Sequence, residues 1–184
     1  MLENWAFIDY SPLYVYTEIS GIVEVKTMFR VGDKIVYPMH GAGIIGQIEE
    51  KKILGETRQY YILNVPCGDM KIMIPTDSCE EIGVRPVADI SLIKSVMKVL
   101  RGDATEMESN WNRRYRENME KLKTGDVLEV AEVVRNLAHS DRDKKLSTGE
   151  KKMLSNAKQI LASEIVLVQD IDVTKAMKII NEAI

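Results

Sequence analysis

The 184 residues are 45% hydrophobic, 29% charged and 6% aromatic, which excludes a disordered chain and implies one or two small domains with aliphatic, methionine-containing cores. The net charge of −3 excludes a general, chain-wide affinity for nucleic acid. Cys67 and Cys79 form no CxxC pair and have no histidine cluster nearby, which argues against a metal site and a disulfide framework. No apolar run is long enough for a bilayer and no signal peptide opens the chain, so a cytoplasmic protein with reduced thiols is expected.

Residues 1–27 read poorly as part of a domain, with scattered aromatics and β-branched residues that show no partner pattern. Met28 follows Val23-Glu-Val-Lys-Thr27, whose codons can spell a purine-rich ribosome-binding site and its spacer. Residues 1–27 are therefore expected to be translated leader or disordered extension, with Met28 as the true start. The 27 residues hold four acids and one base, so the remaining chain has 24 of each and is neutral.

Residues 28–86 read as all-β. Lys34–Tyr37 is a short strand, Pro38–Gly41 a turn, and Leu54-Gly-Glu56 a hairpin tip between Lys51 and Arg58. Tyr60 and Ile62 alternate with Tyr61, Leu63 and Val65; after the Pro66–Asp69 turn, Met70, Ile72 and Ile74 alternate with Lys71 and Met73. Short strands joined by tight turns predict a small Tudor- or SH3-like β-barrel. Gly41-Ala-Gly43-Ile-Ile-Gly46 matches the G-x-G-x-x-G of dinucleotide sites. That pattern carries meaning only where a strand feeds a helix. Here Ile44–Ile48 alternates like a strand and leaves no room for a crossover helix, so the nucleotide reading is rejected.

Residues 87–184 predict a compact all-α domain of about five helices. The first carries Leu92, Ile93, Val96, Met97 and Leu100. The second runs from Asn110 to Lys123, capped by Ser109 or Asn110 and stopped at Gly125. The third is capped by Asp126. Ser140–Lys145 reads as a charged loop, Ser147-Thr-Gly-Glu150 as a capping box, and Asp172 as the last cap. The fold class is thus α+β, with the boundary between halves near Arg85–Ala88.

The second helix is the chemical focus. Trp111, Tyr115, Met119 and Leu122 share one face, with Arg113 and Arg116 off that stripe, and residues 111–123 hold five bases against two acids. Guanidinium groups beside an indole suit a wedge at a DNA groove. The same pattern also describes the first core residue of an amphipathic helix with solvated arginines, and on this stretch alone the two readings stand level. Lys151 and Lys152, in the first turn of the fourth helix, could hold a phosphate; a solvated basic pair explains them more simply. His40 and His139 fall in different halves without a neighbour that makes a dyad, so no enzyme is expected.

Longer motifs give a sharper reading. They are Phe29-Arg-Val-Gly-Asp33, Val36-Tyr-Pro-Met-His-Gly41, Asn110-Trp-Asn-Arg-Arg-Tyr115, Gly125-Asp126, Ala131-Glu-Val-Val-Arg135 and Leu146-Ser-Thr-Gly-Glu-Lys151. In this order they resemble the CarD/CdnL family of bacterial transcription regulators over essentially all of residues 28–184. The β half alone is also similar to the polymerase-binding module of transcription-repair coupling factors.

The resemblance implies a Tudor-like domain that binds the RNA polymerase β subunit and a helical domain that touches promoter double-stranded DNA at the upstream edge of the −10 region. Trp111 would wedge into the minor groove, with Arg113, Arg114, Arg116 and Lys151 along the backbone. Lys51, Ile53, Lys71 and Met73 would face the polymerase; Met73 stands where some members have arginine. The implied protein stabilises the open complex without catalytic chemistry; no cofactor or metal is expected, and a monomer is the simpler expectation. The alternative is an adaptor on polymerase whose helical half does not touch DNA.

Overall fold

The computed structural model describes residues 13–19, 22–143 and 146–184, with side chains from residue 29 onward. Of the leading segment, residues 1–12, 20 and 21 lie outside the described residues. The rest pairs as an antiparallel hairpin, β1 (Leu13–Ile19) with β2 (Ile22–Met28). The β-branched residues that showed no partner in the sequence therefore have one. This two-stranded sheet shares no pairing with the larger one.

Five strands follow: β3 (Lys34–Tyr37), β4 (Gly41–Ile53), β5 (Glu56–Val65), β6 (Met70–Pro75) and the two-residue β7 (Arg85–Pro86). They form one antiparallel sheet in the order β6-β5-β4-β3-β7. Leu54 and Gly55 at the β4–β5 tip both have positive φ, the backbone that matches a two-residue turn to the twist of its strands. The expected barrel is not closed: β6 and β7 are both free edges of an open sheet. The physical reason is visible at β7, whose two residues pair with β3 and, with Pro86 lacking an N–H, leave too little backbone to pair with β6 as well.

Gly41, Gly43 and Gly46 all lie within β4, with no helix after them. Gly46 sits at the register shift between Ile45 and Gln47. A Cβ there would lie 2.3 Å from the Asn64 side chain, so the glycine makes room for its neighbour on β5. A Cβ on Gly43 would lie 2.6 Å from the Asn64 carbonyl oxygen and 2.7 Å from Leu63. Since a backbone oxygen in a sheet cannot step aside cheaply, Gly43→Ala is expected to destabilise the fold by about 1–3 kcal/mol, read as a lower denaturation midpoint.

The short helix α1 (Cys79–Ile82) leads to β7, and five longer helices follow among the described residues: α2 (Ile90–Arg101), α3 (Trp111–Thr124), α4 (Val127–Asp143), α5 (Thr148–Gln169) and α6 (Val173–Ala183). Asp89, Asn110 and Asp172 cap α2, α3 and α6 with side-chain oxygens. Asp126 Oδ1 accepts from the N–H of Leu128 at the start of α4, and the capping box of Ser147 and Glu150 is formed at α5. The charged loop expected from Ser140 is corrected: α4 continues through Asp143. Residues 141–143 are exposed, and charged side chains on the solvent side of a helical end need no break in the helix.

Residues 160–167 of α5 are buried without interruption. A helix buried on all sides has neighbours on all sides, and α5 packs against β4 as well as α4 and α6. Gly41, at φ +95°, lies so close to α5 that a Cβ would come within 2.5 Å of Ser163 Oγ. That hydroxyl accepts from the N–H of Ala42 at 2.7 Å. Lys34 Nζ donates to the Leu167 carbonyl at 2.7 Å.

The segment Arg85–Ala88, where the sequence changes character, is tied to the same helix. Arg85 grips Glu164 with two nitrogens, at 2.7 and 2.9 Å, and donates to the Gly125 carbonyl from Nε and Nη2. The Ala88 N–H donates to Glu164 Oε1 at 2.7 Å. Buried apolar residues of both halves form one continuous core.

Candidate nucleic-acid interface

The helix N-termini of α3 and α5 meet. α3 starts at Trp111 because Asn110 Oδ1 accepts the Arg113 N–H at 3.2 Å, and it ends where Gly125 turns left-handed. Along its apolar stripe, burial falls towards the start. Leu122 is 1% exposed, Met119 and Tyr115 are partly buried, and Trp111 is 43% exposed. The tryptophan therefore does not serve as a core residue. It lies on Tyr115, ring centroids 5.4 Å apart and planes 31° from parallel.

The indole is tied to the cap of α5. Trp111 Nε1 donates to Ser147 Oγ at 2.9 Å. A Cβ on Gly149 would stand 3.5 Å from Tyr115 and 3.7 Å from Trp111 Cζ2, so the first turn of α5 lies directly against both rings. Ser147 Oγ also accepts the Glu150 N–H at 3.2 Å and donates to Glu150 Oε2 at 2.8 Å. Glu150 is 2% exposed and receives Arg114 Nε at 2.8 Å and Nη2 at 2.7 Å on Oε1. Burial alone would raise the Glu150 carboxyl; the hydrogen bonds from Ser147 and Arg114 and the adjacent guanidinium charge outweigh it and hold the group below the usual glutamate range.

Arg114 completes the joint by donating from Nη1 to the carbonyls of Glu108 at 3.0 Å and Ser109 at 3.2 Å. The connection before α3 is fastened from a second side. Buried Arg135 donates to the Val99 carbonyl and Thr105 Oγ1, and buried Asn136 bonds both the N–H and the hydroxyl of Thr105.

The expected DNA-binding residues thus divide by environment. Trp111, Arg113, Arg116 and Lys151 are exposed. Among the described residues the Arg113 guanidinium pairs with Glu108 at 3.3 Å, an exposed contact of small energetic weight. Arg116 and Lys151 make no ion pair among the described residues. Arg114 differs: its guanidinium is committed to Glu150 and two carbonyls, so it supports the surface rather than presenting a cation to it. The residues that sequence reasoning missed are Ser147 in its second role, as the indole's partner, and Glu150 as the anchor of Arg114. The capping-box signature was visible, but nothing local links it to a tryptophan 36 residues earlier.

The residues expected to face polymerase share one face of the sheet. Lys51 pairs with Arg58 and Ile53 with Glu56 across β4–β5, while Met73 pairs with Ile62 and Lys71 with Asn64 across β5–β6. Residues 56, 58, 60, 62 and 64 alternate to one side of β5, so all four candidates lie on that side. The face opposite carries Tyr61, Leu63, Val65 and Ile74 into the core. Ile53 is 39% and Met73 46% exposed, and Lys51 is paired with Glu49 at 2.8 Å. His40, in the Pro38–His40 turn, stacks on Tyr37 at 4.6 Å.

Comparison with known proteins follows the same division. Residues 29–88 match the family described as CarD-like/TRCF RID domain, and residues 95–181 match CarD, C-terminal domain. The chain is 44% identical over 144 residues to "Putative transcription factor YdeB" of Bacillus subtilis (strain 168), an alignment covering 78% of this chain and 94% of that protein. Both halves, in this order, with the tryptophan-led helix in the second, place the chain in the CarD family of transcription factors.

Proposed function

We propose that the outer face of the sheet, around Lys51, Ile53, Lys71 and Met73, binds the β subunit of RNA polymerase, and that the joined ends of α3 and α5 contact promoter DNA at the upstream edge of the −10 region. Trp111 acts there as a minor-groove wedge that stabilises the open complex. The observation that carries this reading is the exposure of Trp111 at the head of a helix whose apolar stripe is otherwise covered. A large ring held half in solvent, with Arg113, Arg116 and Lys151 exposed on the same two helices, suits a partner with a stacked apolar interior and an anionic rim.

Magnitudes favour a tethered mode of action. Three phosphate contacts give a salt slope of about −2.7, so raising salt from roughly 50 to 200 mM would cost about forty-fold in affinity. Such a surface binds free DNA weakly, and attachment to polymerase supplies the effective concentration it lacks. Unstacking intact duplex costs a few kcal/mol per step. The cost is smaller where strands are already parting, so a wedge favours the open over the closed complex. Each kcal/mol of that difference multiplies a minor open population about five-fold. No bond is made or broken by the protein.

Footprinting of a polymerase–promoter complex tests both contacts. Wild-type protein is expected to alter protection beside the −10 element, and Lys51→Glu, which reverses charge on the sheet face, to abolish that change by releasing the protein from polymerase. Protection that is unaltered by a polymerase-bound wild-type protein would instead favour the adaptor reading.

A further inference from the structure

We infer that Ser147 is a positioning residue for Trp111: the capping box of α5 sets the indole's direction and takes up its only hydrogen-bond donor, leaving an apolar wedge without polar readout. This rests on the reading of Trp111 as the DNA contact. The geometry is specific. The hydroxyl of Ser147 has one hydrogen and two lone pairs. The hydrogen goes to Glu150 Oε2, one lone pair receives the Glu150 N–H, and the other receives Trp111 Nε1–H. Nothing is left over, so the serine rotor cannot turn without breaking a bond.

The carboxylate that fixes the rotor is itself fixed by the Arg114 fork. Arg114 sits on the same helix as Trp111, three residues on, and so closes a ring of contacts from α3 to α5 and back. Tyr115 at 5.4 Å and Gly149 against the Cζ2 edge hold the ring from two further sides. The edge turned towards α5 carries Nε1. With Nε1–H engaged by Ser147, the rest of the ring is hydrocarbon, which can enter a base step but cannot distinguish bases by hydrogen bonding. Discrimination by this residue then falls to how easily a step unstacks, a property of pyrimidine–purine steps rather than of base edges.

Two readouts test the assignment in the full chain. The first is solvent exchange of the Trp111 indole N–H by NMR, its signal told from that of Trp5 by its loss in Trp111→Phe. Ser147→Ala is expected to speed exchange about five-fold, the net worth of one hydrogen bond, and Ser147→Thr, which keeps a hydroxyl and a competent cap, to restore it. Unchanged exchange in Ser147→Ala overturns the assignment.

The second is open-complex lifetime in a double-mutant cycle. Ser147→Ala is expected to shorten the lifetime about five-fold beside a tryptophan and to have no further effect in a Trp111→Phe background, which has no N–H to hold. An equal loss in both backgrounds would mean that Ser147 acts only as a cap, and would overturn the inference. Should Trp111→Ala leave the lifetime at the wild-type value, the DNA reading itself fails. The exchange experiment then still decides whether Ser147 positions the ring.

Discussion

Replacing Trp111 with alanine is expected to shorten the lifetime of a responsive open complex by roughly five- to a hundred-fold, while leaving polymerase binding and fold stability near wild type. The magnitude follows from stacking of an aromatic side chain on a base, about 1–3 kcal/mol per contact. The stability expectation follows from exposure. A ring that is 43% exposed loses far less on truncation than a core aromatic, whose removal costs about 3–5 kcal/mol. The substitution also frees Ser147 Oγ on a partly exposed surface, where water can replace the indole. A filter-retention or fluorescence assay after addition of competitor DNA measures the lifetime; thermal melting measures the stability. A large drop in melting temperature alongside the lost lifetime would mean that the ring is structural and that the wedge has been misassigned.

Glu164→Ala is expected to give the opposite pattern: a loss of about 3–5 kcal/mol in stability, the range seen when one partner of a buried ion pair is removed. Glu164 is 2% exposed and accepts both Arg85 and the Ala88 N–H, so its removal strands a guanidinium and a backbone donor together. Arg85 is 28% exposed and keeps the Gly125 carbonyl, which places the expectation towards the lower end of the range. For a chain of this length, 3 kcal/mol lowers the melting temperature by roughly 6–12 °C. Glu164→Gln retains acceptors for Ala88 and one guanidinium nitrogen, and should cost less than half as much. Denaturant titration followed by both far-ultraviolet dichroism and tryptophan emission would register the change. A shift of under about 1 kcal/mol for the alanine variant would show that this pair does not hold the halves together.

The contrast between these two sites explains what could be read from the sequence. Caps were legible because they are local: Asn110, Asp126, Ser147 with Glu150, and Asp172 each act within three residues of themselves. So were the strand alternation of β5 and the turn at Leu54-Gly55, both set by neighbours along the chain. Glu164 and Ser163 were not legible. They sit in an apolar helix where two polar residues look like its solvent side, and their partners lie 79 and 121 positions away. The resemblance set Arg114 beside Arg113 and Arg116 along the DNA backbone. On a helix, successive residues point about 100° apart, and that rotation carries Arg114 onto Glu150. The barrel expectation came from strand count and turn chemistry, neither of which reveals how short the closing strand would be. The family resemblance implied what local patterns could not, a joint role for the two halves.

If the α3–α5 joint is the DNA contact, the helix α5 bears on promoter choice. It carries Ser147 at its first end, beside the indole, and Ser163, Glu164 and Leu167 near the other, fastened to β3, β4 and β7. Twenty-two residues at 1.5 Å each make it a strut of about 33 Å. On the proposed reading, one end of this strut is registered to polymerase through the sheet and the other meets DNA. The protein would then measure a distance. Promoters whose upstream fork falls at the far end of the gauge would be held open, and those with the fork displaced by a base pair or two would be passed over. Selectivity would arise from a fixed length, with no base read at all.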